Sequence, residues 1–200
     1  MKVIFLDFDG VITHVESKWK FDSAKADMIN EICRECDAKI VVTSSWRIGF
    51  QGNIEIFKSS LLSDFRVKTN PSMSYDILKS FIENLYDMTD TQGSMRGDEI
   101  KRWLDKHDDV ENYVILDDDS DMLDEQLLHF VQTDTYEGIT DREMKLCVGV
   151  LNNEETYSMI RLNDVLKYRW RLKCEHPEID NNITTLLERY KELLNLKDVK

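Results

Sequence analysis

The chain has 200 residues and carries 39 Asp and Glu against 26 Lys and Arg, a formal net charge of −13. With 42% apolar residues and only 7 Gly and 2 Pro, it has a core to bury, which excludes a disordered or collagen-like chain. The acidity argues against a stable complex with nucleic acid or an anionic membrane through the overall field, so a phosphate-bearing ligand needs a local site, one that holds a cation.

Residues 2–6 (KVIFL) are short, apolar and rich in β-formers, the pattern of a buried strand. Asp7 and Asp9 interrupt that run at once, so it does not read as a secretory signal. No stretch approaches the length of a membrane span, and a soluble cytoplasmic protein is expected. Residues 21–36 place Ala24, Met28, Ile29, Ile32 and Cys33 at helical spacing. Cys33 and Cys36 form a C-x-x-C late in that helix. A redox pair would open a helix after a strand, and zinc would need a second pair or two His, so both read as small apolar residues on one helical face.

Residues 39–43 (KIVVT) form a second strand pattern. Residues 54–62 and 75–85 read as amphipathic helices, with a short strand at 66–69 between them. Residues 97–106 predict a helix with Ile100, Trp103 and Leu104 inward. Residues 113–116 (YVIL) and 130–133 predict strands, and 141–151 a further helix. This alternation predicts an α/β domain over residues 1–152, a doubly wound, mostly parallel sheet covered on both faces. Ligands gather at the carboxyl ends of such strands, which predicts Asp7, Thr43 and Asp117 along one edge.

Past residue 152 the pattern changes. Residues 155–173 and 181–194 read as two helices broken at Pro177, a C-terminal extension over 153–200 packed on the domain. Residues 161–173 have a local net charge of +4 with Tyr168 and Trp170 interleaved. They read first as an amphipathic helix with Trp170 in the core, and second as a track for a nucleic-acid backbone.

The chemistry concentrates in acids. Asp7-Phe8-Asp9-Gly10 puts two carboxylates beside a residue that permits a tight turn. Residues 105–125 hold ten Asp and Glu against the single base Lys106, including Asp117-Asp118-Asp119-Ser120-Asp121. Carboxylates this close raise one another's pKa or need a cation. Each cluster alone is a common turn or solvated face. Two, each after an apolar strand, describe a hard-cation site, for which Mg²⁺ completed by substrate phosphate is expected. Arg96 stands at a helix start, where backbone N–H groups already favour an anion, with Lys101 as its rival. Thr43, Ser44 and Ser45 supply hydroxyls and backbone N–H groups at the same edge, although Ser44 or Ser45 serves equally as a helix cap. Trp46 and Trp103 read as packing, Arg47 as lining the site mouth, and His14 is given no role.

In order, FLDFDGVI, VVTSS, RGDEI and YVILDDDSD resemble the four motifs of the haloacid dehalogenase (HAD) superfamily of phosphohydrolases, over residues 1–150. The third motif usually carries Lys where Arg96 stands. SSWR, RG-x-EI-x-x-WL and YVILDD resemble more closely the phosphatase-like domains of multi-enzyme RNA repair proteins, with the phosphatase half of polynucleotide kinase-phosphatases a more distant analogue. The resemblance implies a HAD-like Rossmannoid fold with a small cap or none. It implies a Mg²⁺-dependent phosphomonoesterase working through an aspartyl-phosphate: Asp7 as nucleophile and Asp9 as acid, then base. Thr43, Ser44 and Arg96 would hold the phosphoryl oxygens. Asp7, the backbone carbonyl of Asp9, Asp118 directly and Asp117 through water would hold the metal, with Asp121 a weaker candidate and Asp119 the weakest. Asp9 disfavours dehalogenation. Nucleic-acid terminal phosphates, nucleotides or small phosphate esters are the expected substrates. The alternative is a non-catalytic or weakly catalytic interaction module acting through the C-terminal helices.

Overall fold

The computed structural model describes residues 1–154 apart from 69, 71, 72, 93 and 94. The expected C-terminal helices, the basic run at 161–173 and Cys174 lie outside the described residues. In chain order the elements are β1 (Lys2–Leu6), α1 (Ser23–Cys36), β2 (Ala38–Val42), α2 (Ile54–Leu61), α3 (Phe65–Lys68), α4 (Tyr75–Asn84), β3 (Leu85–Met88), α5 (Arg96–Leu104), β4 (Asn112–Asp117), β5 (Phe130–Gln132) and α6 (Asp141–Leu151). Single 3₁₀ turns follow β2 at Ser45–Arg47 and precede β5 at Asp124–Gln126.

The five strands form one parallel sheet in the order β3-β2-β1-β4-β5. The chain builds outward from β1 to β2 and β3, then returns to the other side of β1 with β4 and β5. The order therefore reverses between β1 and β4, and the crevice outside their carboxyl ends is where such sheets bind ligands. α1, α4 and α6 pack together on one face. α5 covers the other, where the Trp103 ring meets Phe5 edge-on at 5.3 Å and Phe5 meets Tyr113 at 5.7 Å. Phe8, Phe21, Phe57 and Phe81 are fully buried and pack ring against ring. Each buried ring contributes about 1.5–3 kcal/mol.

Local signals explain most element ends. Asp22 caps α1 by accepting from Ala24 N, and Asp37 ends it in the left-handed region at φ 52°. Thr140 and Glu143 close a capping box on α6. Cys33 and Cys36 are buried, neither is in a disulfide, and burial pushes the Cys33 thiol up to about 12. They fill one helical face, as expected.

Two expectations are corrected. The strand expected at 66–69 is replaced over Phe65–Lys68 by one helical turn, and a fifth strand, β3, follows α4 directly at Leu85. Leu85 continues the apolar spacing of Phe81, and no Gly or Pro marks the change from helix to strand. β3 is a sheet edge, with Tyr86 exposed and only Leu85 and Met88 buried. The stretch between the second and third motifs thus builds the sheet and its α1 face rather than a separate cap.

Candidate active site

The parallel ladder runs one residue past the strands: Asp7 N donates to Leu116 O, Thr43 N to Leu6 O and Thr89 N to Val42 O, each at 3.0 Å. Asp7 and Thr43 thus stand in register at the carboxyl edge, beside Asp117, the last residue of β4. Carboxylate oxygens of Asp7, Asp117 and Asp118 lie within 4.8 Å of one another. Asp7 and Asp117 are buried and Asp118 is partly buried.

Close backbone approach permits this meeting. Gly10 has φ +79°, and a Cβ there would stand 2.1 Å from the Asp118 carboxyl carbon. Only glycine turns the chain this way and leaves room for that carboxylate. A Cβ on Gly97 would stand 2.6 Å from Leu123 N, so α5 docks its first turn against the loop after β4 through a missing side chain. Asp121 secures that junction: its carboxylate accepts from Arg96 N at 2.8 Å and its carbonyl from Gly97 N at 3.1 Å.

Arg96 then points into the cluster. Its Nη1 donates to Asp7 Oδ1 at 3.1 Å and to Thr43 O at 2.6 Å, and lies 3.4 Å from Asp117 Oδ2. Lys101 instead pairs at the surface with Glu125 and Asp105. Burial pushes the Asp7 carboxyl above its ordinary range, opposed by Arg96 and by a hydrogen bond from Ser44. Burial, then repulsion from Asp7, drives Asp117 well above the carboxylate range. Asp118 is also raised, chiefly by burial, although Thr135 Oγ1 donates to its Oδ2 at 2.5 Å. Burial opposes the charge on Arg96, but Asp117 and Asp7 outweigh it and raise its pKa. Three carboxylates against one guanidinium leave an excess of negative charge in low dielectric.

Asp117 Oδ2 is buried without a hydrogen-bond partner, its guanidinium neighbour aside. Thr43 Oγ1 is likewise buried and without a partner. Hard oxygen donors, net negative charge, an orphaned carboxylate oxygen and the cradle left by Gly10 fit a divalent cation such as Mg²⁺. The Asp9 carboxylate lies outside this set: Thr13 Oγ1 donates to its Oδ1 at 2.6 Å and Trp46 Nε1 to its Oδ2 at 3.0 Å. Asp119 N donates to Asp117 Oδ1, and Ser44 caps the turn that follows it.

Arg47, expected at the site mouth, is buried, and its five donors are all engaged. Nη1 donates to Ser44 O at 2.7 Å and to Thr43 O, Nε to Thr89 O at 3.1 Å, and Nη2 to Asp90 O at 3.0 Å and to Glu99. It clamps the loop after β2 to the end of β3 and to α5. A cavity of about 480 Å³ opens beside this clamp, lined among others by Thr89, Asp90, Trp103 and His107, and none of the acidic cluster reaches it. His14 is buried, its ring between Asp22 Oδ2 and Tyr136 O, each at 3.2 Å. The contact that sequence reasoning missed is the Trp46 N–H on Asp9. The indole immediately follows the second motif, and nothing local marks its target.

Comparison with curated proteins and with solved structures finds no match. No helix among the described residues is long and apolar enough to cross a membrane. A family model for the HAD domain in Swiss Army Knife RNA repair proteins matches residues 3–144, which span all five strands and the whole acidic cluster. The chain is therefore a member of that HAD family, whose type of activity is phosphohydrolase.

Proposed function

We propose that the protein is a Mg²⁺-dependent phosphomonoesterase acting through an aspartyl-phosphate on terminal phosphates of nucleic acids or on nucleotides. The observation that supports this most is the meeting of Asp7, Asp117, Asp118 and Arg96 at the point where the strand order reverses.

Asp7, Asp117 and Asp118 would hold the metal, which when bound offsets repulsion between the anionic nucleophile and an anionic phosphate. Arg96 turns from Asp7 to the phosphoryl oxygens, beside the hydroxyl of Thr43 and the backbone at Ser44. A carboxylate oxygen of Asp7 forms a bond to phosphorus as the ester P–O bond breaks. Asp9 gives its proton to the leaving oxygen, then takes one from the water that attacks phosphorus and frees Asp7. Polymer ends suit an edge on which the described residues build no separate cap, and the family's place in RNA repair proteins points the same way. The net charge of −13 favours brief encounters over a stable nucleic-acid complex.

The test is hydrolysis of p-nitrophenyl phosphate with Mg²⁺ and with a chelator, in wild type and Asp7→Asn. Metal-dependent turnover that Asp7→Asn abolishes is expected, and equal rates in the two proteins would sink the reading. A 3′-phosphorylated oligonucleotide, a 5′-phosphorylated one and mononucleotides then rank the substrates.

A further inference from the structure

We propose that Trp46 is a positioning residue for Asp9, resting on the phosphatase reading above. The Asp9 carboxylate sits on a tight turn, and its two oxygens are held from different places. Thr13 on the same turn holds Oδ1, while the Trp46 indole, 37 residues away on the loop after β2, holds Oδ2. An indole N–H is a donor only, so it holds an acceptor oxygen in place and accepts nothing in return.

The ring that carries this donor is clamped on two sides. Phe8 meets it edge-on at 5.3 Å, and the Arg66 guanidinium carbon lies 3.1 Å from its centroid. Arg66 is held in turn by Asp64, with Nε on Oδ1 at 3.2 Å and Nη2 on Oδ2 at 3.1 Å. The chain Asp64–Arg66–Trp46–Asp9 thus runs from α3 to the carboxylate that moves the proton. Phe or Leu would fill the same apolar space against Phe8. A buried indole needs one acceptor, and here that acceptor is the acid itself.

The consequence is specific to the leaving group. p-Nitrophenolate departs without a proton, whereas an alkoxide needs one as the P–O bond breaks. A misplaced Asp9 therefore slows alkyl esters more than activated aryl ones. The experiment compares kcat/KM, which reports the first transfer, for p-nitrophenyl phosphate and benzyl phosphate in wild type, Trp46→Phe and Arg66→Met, with Asp7→Asn as control.

Trp46→Phe is expected to lower kcat/KM roughly tenfold for benzyl phosphate and less than about twofold for p-nitrophenyl phosphate, with KM for either nearly unchanged. Arg66→Met shows the same pattern at roughly threefold. Should Trp46→Phe not fold, benzothienylalanine at position 46 keeps the bicyclic shape and replaces only the N–H by sulfur. An equal drop on both esters, or none on benzyl phosphate, overturns the proposal while an inactive Asp7→Asn leaves the phosphatase reading standing. Hydrolysis of both esters undiminished in Asp7→Asn overturns the two together.

Discussion

Two buried charge clusters face each other across Thr43, and they are built on opposite principles. Around Arg47 every donor is matched: four carbonyls and the Glu99 carboxylate absorb one guanidinium. Around Asp7 the matching stops short. Three carboxylates meet, only Asp7 and Asp117 pair with Arg96, two buried oxygens stay without hydrogen-bond partners, and the acids are driven above their ordinary range. A buried ion pair that satisfies itself holds loops together. One that leaves negative charge and open oxygens over suits a divalent cation. Unanswered carboxylate charge, rather than charge density or a single orphaned hydroxyl such as Thr89 Oγ1 beside Arg47, separates the candidate site from the structural cluster.

The contrast can be broken by single changes. Asp7→Asn should cut hydrolysis at least about a thousandfold while the thermal midpoint holds or rises, which steady-state assays and a melt together check. Arg47→Met should do the reverse, costing about 3–5 kcal/mol in urea unfolding because Glu99 is left buried without its partner. An Arg47→Met variant as stable as wild type would end the distinction. Arg96→Ala should lower kcat/KM roughly a hundredfold, the loss of one charged donor on the transferring group.

The smallest effect sharpens the comparison most. The folded state holds the Asp117 proton more tightly than the unfolded chain does. The resulting cost is absent below the ordinary carboxylate pKa and grows as pH rises through the raised value. In chelator, Asp117→Asn should therefore be more stable than wild type at neutral pH, a gain that shrinks on acidification. Saturating Mg²⁺ should reverse the order, because only wild type gains about 2.7 kcal/mol at a hundred times Kd. Unfolding curves at several pH values with and without metal decide it.

What sequence reading reached, and what it missed, follows from the range of each interaction. The β1 strand and the α6 helix are announced by their own residues, and acids directly after apolar strands stand out without any knowledge of the fold. β3 escaped because α4 runs into it without a break and it buries only two side chains. The role of Arg47 escaped because Glu99 is 52 residues away, and that of Trp46 because Asp9 is 37 away on another loop. Asp121 reads as a weaker candidate for the metal because its neighbours in sequence carry the same charge, and what sequence does not show is that its Oδ2 accepts from the α5 backbone. Local pattern identifies who carries charge; which charges are already answered depends on loops that meet only in the fold.

The carbonyl of Thr43 accepts from both Arg47 and Arg96. Arg47 has all its donors engaged within the fold, whereas Arg96, on the function proposed above, would turn to a phosphoryl group. On that reading the peptide at 43–44 would keep its orientation while Arg96 is away, and Arg96 would return to a seat that had not shifted.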